Sequence, residues 1–358
     1  MRKLTALLAS LVSAAAIAAE PVSILFVGNS FTYTRPPALG YNADSVVDLT
    51  YAYSLATPGD GDPALPQPFG GVPGLVEQLA TQAGLDYEVF HSLRGGATLR
   101  GHFLNTNPVG WDMRVNMTRR KWDAVILQGN STEAVARAGG NPAQFRAFVN
   151  KIEQFIHVGN AHTFRESQLY PGGSNALRTI PANPNANPNA KIFLYQTWTR
   201  PDLTYLPTGE YFGEPLETMG NEIRDSYALA AAQNAKIAGV LPVGEAFLRA
   251  VQDGVAFRNS YAPEGNLVDL WWHEDQFHPA KYGSYLSALV IFGQLSGIDP
   301  QSFGANEKVA NDLGIEPQHA MRLQRVASEQ LAASGVATDR RNCLHANARS
   351  NGAQACSN

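Results

Sequence analysis

Short runs of apolar, β-prone residues recur along this chain and alternate with segments of helical periodicity. Residues 22–27, 124–128 and 192–195 are almost wholly apolar, as expected of strands buried on both faces of a sheet. Residues 141–157 lie between two of these runs and carry apolar side chains at the spacing of an amphipathic helix. Strands that alternate with helices favour a parallel sheet with helices on both faces, in one α/β domain.

Two segments interrupt the alternation and predict loop insertions in that domain. Residues 36–74 are rich in Pro, Gly and Asp, and residues 159–190 end in the Asn-Pro repeats PANPNANPNA. The first segment is typical of a long loop, and the Asn-Pro repeats of the second favour successive turns and are incompatible with helix. Helix and strand patterns resume afterwards, beginning with a helix predicted over residues 216–236 that Gly239 would end. We therefore predict a single domain over residues 20–335.

The N-terminal segment predicts a secretory signal peptide over residues 1–19. Arg2 and Lys3 give it a positive start, residues 4–17 are apolar, and an Ala-Ile-Ala cleavage pattern follows. The apolar run is shorter than the roughly 20 residues that a membrane span needs, which disfavours an N-terminal anchor as the alternative. We expect a secreted or periplasmic protein without stable membrane insertion.

Composition narrows the class of partner. The chain has 27 Lys and Arg against 31 Asp and Glu, with no basic stripe, so nucleic acid is not an expected partner. A hydrophobic fraction of 44% with 16% charged residues excludes a globally disordered chain. No metal or organic cofactor is implied, and the oligomeric state is not indicated.

The chain has two cysteines, Cys343 and Cys356, both in the tail at residues 336–358. A lone pair of cysteines in a secreted chain predicts a disulfide between them, and two free thiols are the alternative.

The stretch SILFVGNSFTYT places Ser30 directly after a glycine and an asparagine, where the first predicted strand ends. Gly, Asn and Ser are ordinary turn residues, so Ser30 could be purely structural. The alternative is a nucleophile held at the edge of the sheet, where parallel α/β folds place their ligand sites. The sequence offers the partners that such a nucleophile requires.

Asp275 and His278 stand in the stretch WWHEDQFHPAKYGSYL, just before a predicted helix. A serine nucleophile needs a base to take its proton, and the base needs a carboxylate to orient it. The D-x-x-H spacing allows one turn of backbone to present both side chains together. We predict that Asp275 holds Nδ1 of His278 and leaves Nε2 to face Ser30.

Donors for a developing oxyanion can also be identified. They are the backbone N–H of Ser30, Gly96 in SLRGGATLRGH and the side chain of Asn130 in ILQGNS. Asn130 follows a predicted strand, as Ser30 does, so both are expected at one edge of the sheet. Taken singly, Gly96 could be only a turn residue and Asn130 only a helix cap.

Four stretches, FVGNSFT, RGGAT, ILQGNS and DQFHPAKYGSYL, resemble in order and spacing the four blocks of the SGNH hydrolases, also called GDSL-type lipases and esterases. The resemblance spans about residues 22–297. The sequence is similar to a branch of the SGNH proteins whose first block reads GNSFT. It implies a flavodoxin-like, three-layer α/β/α sandwich with about five parallel strands.

The same resemblance implies a catalytic triad of Ser30, His278 and Asp275, with Ser30, Gly96 and Asn130 forming the oxyanion hole. Gly95 is the alternative to Gly96. The first block reads GNSFT where the family usually has GDSL, and the third has GNS where G-x-N-D is usual. These departures leave the triad intact and bear on the substrate.

We therefore predict a secreted serine ester hydrolase that acts through an acyl-enzyme, on short-chain esters or on acetyl esters of a polysaccharide. Tyr33, Trp198, Trp271 and Trp272 are candidate substrate-binding residues, with a partly core role as the alternative for Trp271 and Trp272. A lipase or polyester esterase with the same triad is a second hypothesis.

Two further hypotheses belong to other classes. A non-catalytic secreted carbohydrate-binding protein on the same scaffold would have lost one of Ser30, Asp275 or His278, and all three are present. A metal site drawn from His273, Glu274, Asp275 and His278 lacks the HExxH helix spacing, and Pro279 disfavours a helical ligand pair there.

Overall fold

The computed structural model describes residues 20–56 and 67–339. The predicted signal peptide, Cys343 and Cys356 lie outside the described residues.

A parallel sheet forms the centre of the molecule and confirms the predicted fold class. The strands are β1 (Val22–Gly28), β2 (Val47–Asp48), β3 (Tyr87–Leu93), β4 (Ala124–Leu127), β5 (His162–Arg165), β6 (Leu177–Ile180), β7 (Lys191–Tyr195) and β8 (Ile237–Leu241). Six of them pair in the order β2-β3-β1-β4-β7-β8, and every neighbouring pair is parallel. Without the two-residue β2, the order in chain numbering is 2-1-3-4-5, as in flavodoxin.

Helices cover both faces of this sheet. They are α1 (Ser30–Tyr33), α2 (Tyr51–Ala56), α3 (Gly71–Gln82), α4 (Leu99–Leu104), α5 (Met113–Met117), α6 (Pro142–His157), α7 (Pro201–Tyr205), α8 (Leu216–Ala232), α9 (Val243–Gln252), α10 (Lys281–Ser296), α11 (Lys308–Asp312) and α12 (Pro317–Ala333). Among the described residues, no helix is long and apolar enough to cross a membrane.

Strand β1 shows why the sheet separates two cores. Ile24 and Phe26 point into a core shared with α3, α9, α10 and α12, whereas Leu25 and Val27 point into one shared with α4, α6 and α8. Successive side chains of a strand alternate between faces, so an all-apolar strand needs cover on both sides. The three layers follow from that requirement.

Local structure differs from the sequence pattern in three places. The segment 36–74 contains β2 and α2, and the segment 159–190 contains β5 and β6, which pair as an antiparallel hairpin. The helix predicted to end at Gly239 stops at Ala232, because Gly239 belongs to β8 and pairs with Phe193 of β7. Pairing with the edge of the sheet thus overrides the helical pattern of the preceding residues.

Candidate active site

The candidate site lies beyond the carboxyl ends of β1 and β4, where the order of the strands reverses direction along the chain. Crevices at such switch points are the usual ligand sites of open parallel sheets. Ser30 is the first residue of α1, two residues after β1 ends, and Asn130 follows β4. The fold therefore brings the two predicted residues to one edge.

Asn29 links the turn that contains Ser30 to the neighbouring loops. Its Oδ1 accepts from the N–H of Phe31 at 3.1 Å and caps α1, while Nδ2 donates to the carbonyls of Ala97 at 2.9 Å and Gly129 at 3.1 Å. The side chain is only 2% exposed, so these bonds replace bonds to water. The loops after β1, β3 and β4 are consequently held together by one amide.

Asp275 and His278 are hydrogen-bonded as their spacing predicts. Oδ2 of Asp275 lies 2.7 Å from Nδ1 of His278, and Oδ1 accepts from the backbone N–H groups of Phe277 and His278, each at 3.0 Å. Between them Gln276 adopts a left-handed conformation with φ of 58°, which tightens the turn. With Nδ1 donating to the carboxylate, Nε2 is the nitrogen that can accept a proton.

The environment lowers the pKa of both members of this pair. Burial lowers the pKa of His278 and outweighs the opposing hydrogen bond to Asp275, and the charges of Arg35 and Arg200 lower it further. Burial acts to raise the pKa of Asp275, but the hydrogen bonds from the ring and the N–H of His278 and from the N–H of Phe277 prevail, so that pKa is lowered. The resting pair is therefore a neutral imidazole beside a carboxylate.

Arg35 is a site residue that the sequence reasoning missed. Its Nη2 lies 3.0 Å from Nδ1 and 3.4 Å from Nε2 of His278, and 3.6 Å from Oδ2 of Asp275. It follows Ser30 by five residues, directly before Pro36. A cation so close to the base opposes formation of the imidazolium ion.

Ser30 and His278 are brought to the same part of the molecule without a direct hydrogen bond. The ring of Phe31, the residue after Ser30, contacts the imidazole edge-on with centroids 5.5 Å apart. Within the part of the chain that the structure describes, the Ser30 hydroxyl has no hydrogen-bond partner. Catalytic hydrogen bonds are often long before substrate binds, so the geometry is compatible with a nucleophile and its base.

The predicted oxyanion donors lie on the adjoining loops. Gly96 has φ of 66°, a conformation that suits glycine, and its carbonyl accepts from Nδ2 of Asn130 at 3.1 Å. That bond uses one of the two amide hydrogens of Asn130. Among the described residues no hydrogen bond engages the N–H of Ser30 or of Gly96. Three donors are therefore available on the loops around Ser30.

The aromatic candidates need correction. Trp198 and Trp271 are both 0% exposed, and Trp198 stacks between Phe31 and Phe247 at 4.4 and 4.5 Å. Both tryptophans are core residues and offer no surface to a ligand. Tyr33 is 8% exposed and stacks on Phe69 at 4.5 Å, so it also packs inside. Trp272 alone of the four is partly exposed.

The residues considered for a metal site do not converge. Among the described residues, no group of three or more His, Cys, Asp or Glu side chains is arranged to hold a metal ion. His273 and Glu274 are exposed, each by 70% of the side chain, whereas His278 is buried.

The chain matches no protein-family model and has no significant match among curated proteins. Solved structures similar to it include a candidate SGNH hydrolase from Slackia heliotrinireducens, with 18% identity, a TM-score of 0.45, and 77% of this chain and 100% of that one covered. Another is a DUF4886 family protein from Bacteroides uniformis, with 14% identity, a TM-score of 0.47, and 90% and 98% covered. A carbohydrate acetylesterase from Sinorhizobium meliloti shows 12% identity, a TM-score of 0.36, and 87% and 99% covered.

The chain is thus similar in structure to SGNH hydrolases and related esterases, the family that its sequence motifs resemble.

Proposed function

We propose that this protein is a secreted serine ester hydrolase of the SGNH type, with Ser30 as nucleophile, His278 as base and Asp275 as the orienting carboxylate. The observation that carries the proposal is the 2.7 Å hydrogen bond between Asp275 and His278 at the edge of the sheet where Ser30 begins α1. A buried neutral imidazole held by a carboxylate, at the same edge of the sheet as a serine without a hydrogen-bond partner among the described residues, is an arrangement suited to acyl transfer.

In the proposed mechanism, Ser30 Oγ forms a bond to the ester carbonyl carbon while its proton passes to Nε2 of His278. The carbonyl electron pair moves to the oxygen, which accepts from the N–H groups of Ser30 and Gly96 and from Nδ2 of Asn130. Collapse of this intermediate breaks the bond to the alcohol, which takes the proton from Nε2. Water, deprotonated by His278, then attacks the acyl-enzyme by the same steps and releases the acid.

Short-chain esters or acetyl esters of a polysaccharide are the proposed substrates, since the predicted signal peptide directs the chain to an external target. The aromatic platform that would favour sugar rings is smaller than the sequence predicts, because Trp198 and Trp271 are in the core. A lipase or polyester esterase would use the same triad and is distinguished by its preference for long acyl chains.

The first test compares the wild-type chain from Glu20 with Ser30→Ala on 4-nitrophenyl acetate, butyrate and octanoate and on acetylated xylan, with and without EDTA. Ser30→Ala should lower kcat by at least about a thousandfold, because the residual rate depends on binding and oxyanion donors alone. Ser174→Ala removes a partly exposed serine hydroxyl from the β5–β6 segment and should leave kcat unchanged.

A Ser30→Ala variant as active as wild type would exclude Ser30 as nucleophile and with it the triad. Activity lost in EDTA would favour a metal-dependent hydrolase. A wild-type chain that is inert on all four substrates but retains affinity for xylan would favour the carbohydrate-binding alternative.

A further inference from the structure

Glu133 is a buried carboxylate behind the two candidate oxyanion loops, and no step of the proposed mechanism uses it. The residue is only 4% exposed. Its Oε2 accepts from the backbone N–H of Leu99 at 2.9 Å and of Asn130 at 3.1 Å, and its Oε1 lies 3.1 Å from the same Leu99 nitrogen. One carboxylate therefore joins the loop after β4 to the start of α4.

This carboxylate has no countercharge. Among the described residues, no Lys, Arg or His side chain forms an ion pair with Glu133, and the neighbouring Arg100 pairs with Glu166 instead. Burial raises the pKa of Glu133 to about 7, although the backbone N–H groups of Leu99, Asn130 and Arg100 act to lower it. Tyr227 of α8 also faces the carboxylate, and burial together with that charge raises the pKa of Tyr227. Burying a carboxylate without a cation is unfavourable for folding, so its presence here calls for a functional reason.

The position of Glu133 relates it to the oxyanion donors. Leu99 begins α4 directly after the loop that contains Gly96, and Asn130 supplies the side-chain donor. Asn130 Nδ2 also bonds to the carbonyl of Gly96, so the two loops are joined both by that amide and by the carboxylate. Glu133 therefore bonds to Asn130 itself and to the residue that begins α4 after the Gly96 loop.

Gly129 shows how closely the loop passes the carboxylate. A Cβ atom at this position would lie 2.6 Å from Oε2 of Glu133 and 3.5 Å from the ring of Phe145 in α6. The backbone between β4 and Asn130 can approach Glu133 only because residue 129 has no side chain. The backbone of Gly129 therefore packs closely against the carboxylate of Glu133.

We propose that Glu133 is a positioning residue of the oxyanion hole, whose ionised carboxylate holds the loops of Gly96 and Asn130 at the separation that the transition state requires. This inference rests on the proposed esterase function and goes beyond its triad. A carboxylate can accept from several converging N–H groups at once, whereas a protonated acid or an amide presents a donor to some of them. Loss of the charge should therefore move the donors without removing any of them.

The test is Glu133→Gln, with Glu153→Gln as the matched control. Glu153 is also a buried glutamate, 7% exposed, but it bonds to His157 in α6 and contacts neither loop. Glu133→Gln should lower kcat on 4-nitrophenyl acetate at least about tenfold with KM within about twofold, since a lost oxyanion donor costs about 10²–10³ in kcat. An aryl boronic acid, which mimics the tetrahedral intermediate, should bind more weakly by a similar factor. Glu153→Gln should match wild type in both measurements.

The pH dependence of the wild-type chain provides a readout that does not depend on whether a variant folds. Protonation of Glu133 should have about the same effect as Glu133→Gln, so log kcat of the wild type should fall by more than one log unit per pH unit where both His278 and Glu133 take up a proton, whereas a folded Glu133→Gln variant should show a slope of one throughout. A wild-type slope of one overturns the proposal, as does a folded Glu133→Gln variant with the kinetics of Glu153→Gln. In that result Ser30→Ala would still be inactive, so the esterase function would stand. A wild-type chain inert on every ester would overturn both.

Discussion

At the scale of single residues, the charge balance around His278 is the feature that most affects its chemistry. Arg200 lies over the ring of Phe277 at 4.3 Å, but its guanidinium is paired with Asp202 at 2.6 Å. Arg35 is 3.6 Å from Asp275, and its Nη2 is directed at both ring nitrogens of His278. Arg35 is therefore the cation with the stronger effect on the base.

We predict that Arg35→Met shifts the acid limb of the pH profile of kcat/KM to higher pH. His278 accepts a proton only when neutral, so activity is lost as pH falls through its pKa, and the charge of Arg35 helps to lower that pKa. Removing the charge raises the pKa, and the limb moves in the same direction. Values of kcat/KM measured between about pH 5 and 8 for both proteins give the size of the shift. As a control, Arg249→Met removes a distant charge on α9 and should not shift the acid limb of the pH profile. An acid limb at the wild-type pH in Arg35→Met would contradict the prediction.

Residue patterns could predict only part of this site. The D-x-x-H spacing predicts the contact of Asp275 with His278, because three residues span one turn. The contact of Arg35 with His278 joins residues 243 apart in sequence, and no local pattern encodes it. Glu133 was missed for a related reason, since its partners belong to two different loops.

At the scale of elements, the β5–β6 hairpin is attached to the active-site side of the sheet through one carboxylate. Glu166, 0% exposed, accepts from Arg100 of α4 at 2.5 Å, from Arg178 of β6 and from the hydroxyl of Tyr170 at 2.7 Å. Helix α4 begins directly after the Gly96 loop. The β5–β6 insertion therefore contacts α4, the helix that follows the Gly96 loop of the candidate site.

We predict that Glu166→Gln lowers the free energy of unfolding by about 3 kcal/mol at neutral pH, because it leaves two arginines without a buried partner that is charged. Burial acts to raise the pKa of Glu166, but the hydrogen bonds from Arg100, Tyr170 and Arg178 prevail and lower it to about 2. Its contribution is thus present above the usual glutamate pKa and is lost as pH falls toward about 2. Urea unfolding at several pH values measures this loss of stability.

The exposed pair of Glu88 with Arg120 is the control, and Glu88→Gln should change stability by less than about 1 kcal/mol. Equal effects of the two variants would contradict the prediction.

The hairpin also marks a limit of sequence interpretation at this scale. Strand and helix patterns predict the central elements because those elements bury apolar faces. Residues 162–165 and 177–180 lack a strong apolar pattern, since only Phe164 and Ile180 of the two strands are buried. A tertiary contact that no local pattern encodes, the ion pair of Glu166 with Arg178 of β6, accompanies their pairing.

At the scale of the whole molecule, a stack of aromatic rings connects one core to the site. Trp198 lies between Phe247 of α9 and Phe31 of α1, with interplanar angles of 5° on both sides, and Phe31 in turn contacts His278.

The predicted parallel sheet is confirmed, with six strands in place of about five. Apolar periodicity identifies core elements but does not show which aromatic side chains remain accessible, and this is why Trp198 was misassigned.

We predict that Trp198→Ala destabilises the protein by about 3–5 kcal/mol, as expected for a large side chain removed from a packed core. It should also lower kcat, because Phe31 loses its stacking partner beside Ser30. Trp272→Ala truncates a partly exposed tryptophan and should change stability by less than about 1 kcal/mol. Chemical denaturation followed by circular dichroism, together with 4-nitrophenyl acetate hydrolysis, tests both. A Trp198→Ala variant of wild-type stability would place Trp198 outside the core.

The wide sequence separation of the site residues has a consequence for synthesis of the chain. Ser30 and Arg35 leave the ribosome early, whereas Asp275 and His278 belong to the last quarter of the described chain and are held by the turn that leads into α10. Domains acquire their long-range contacts only when the later elements have been made. The nucleophile should therefore be chemically silent on a nascent or truncated polypeptide, and ester cleavage during refolding should report the docking of the C-terminal helices and not the formation of the sheet.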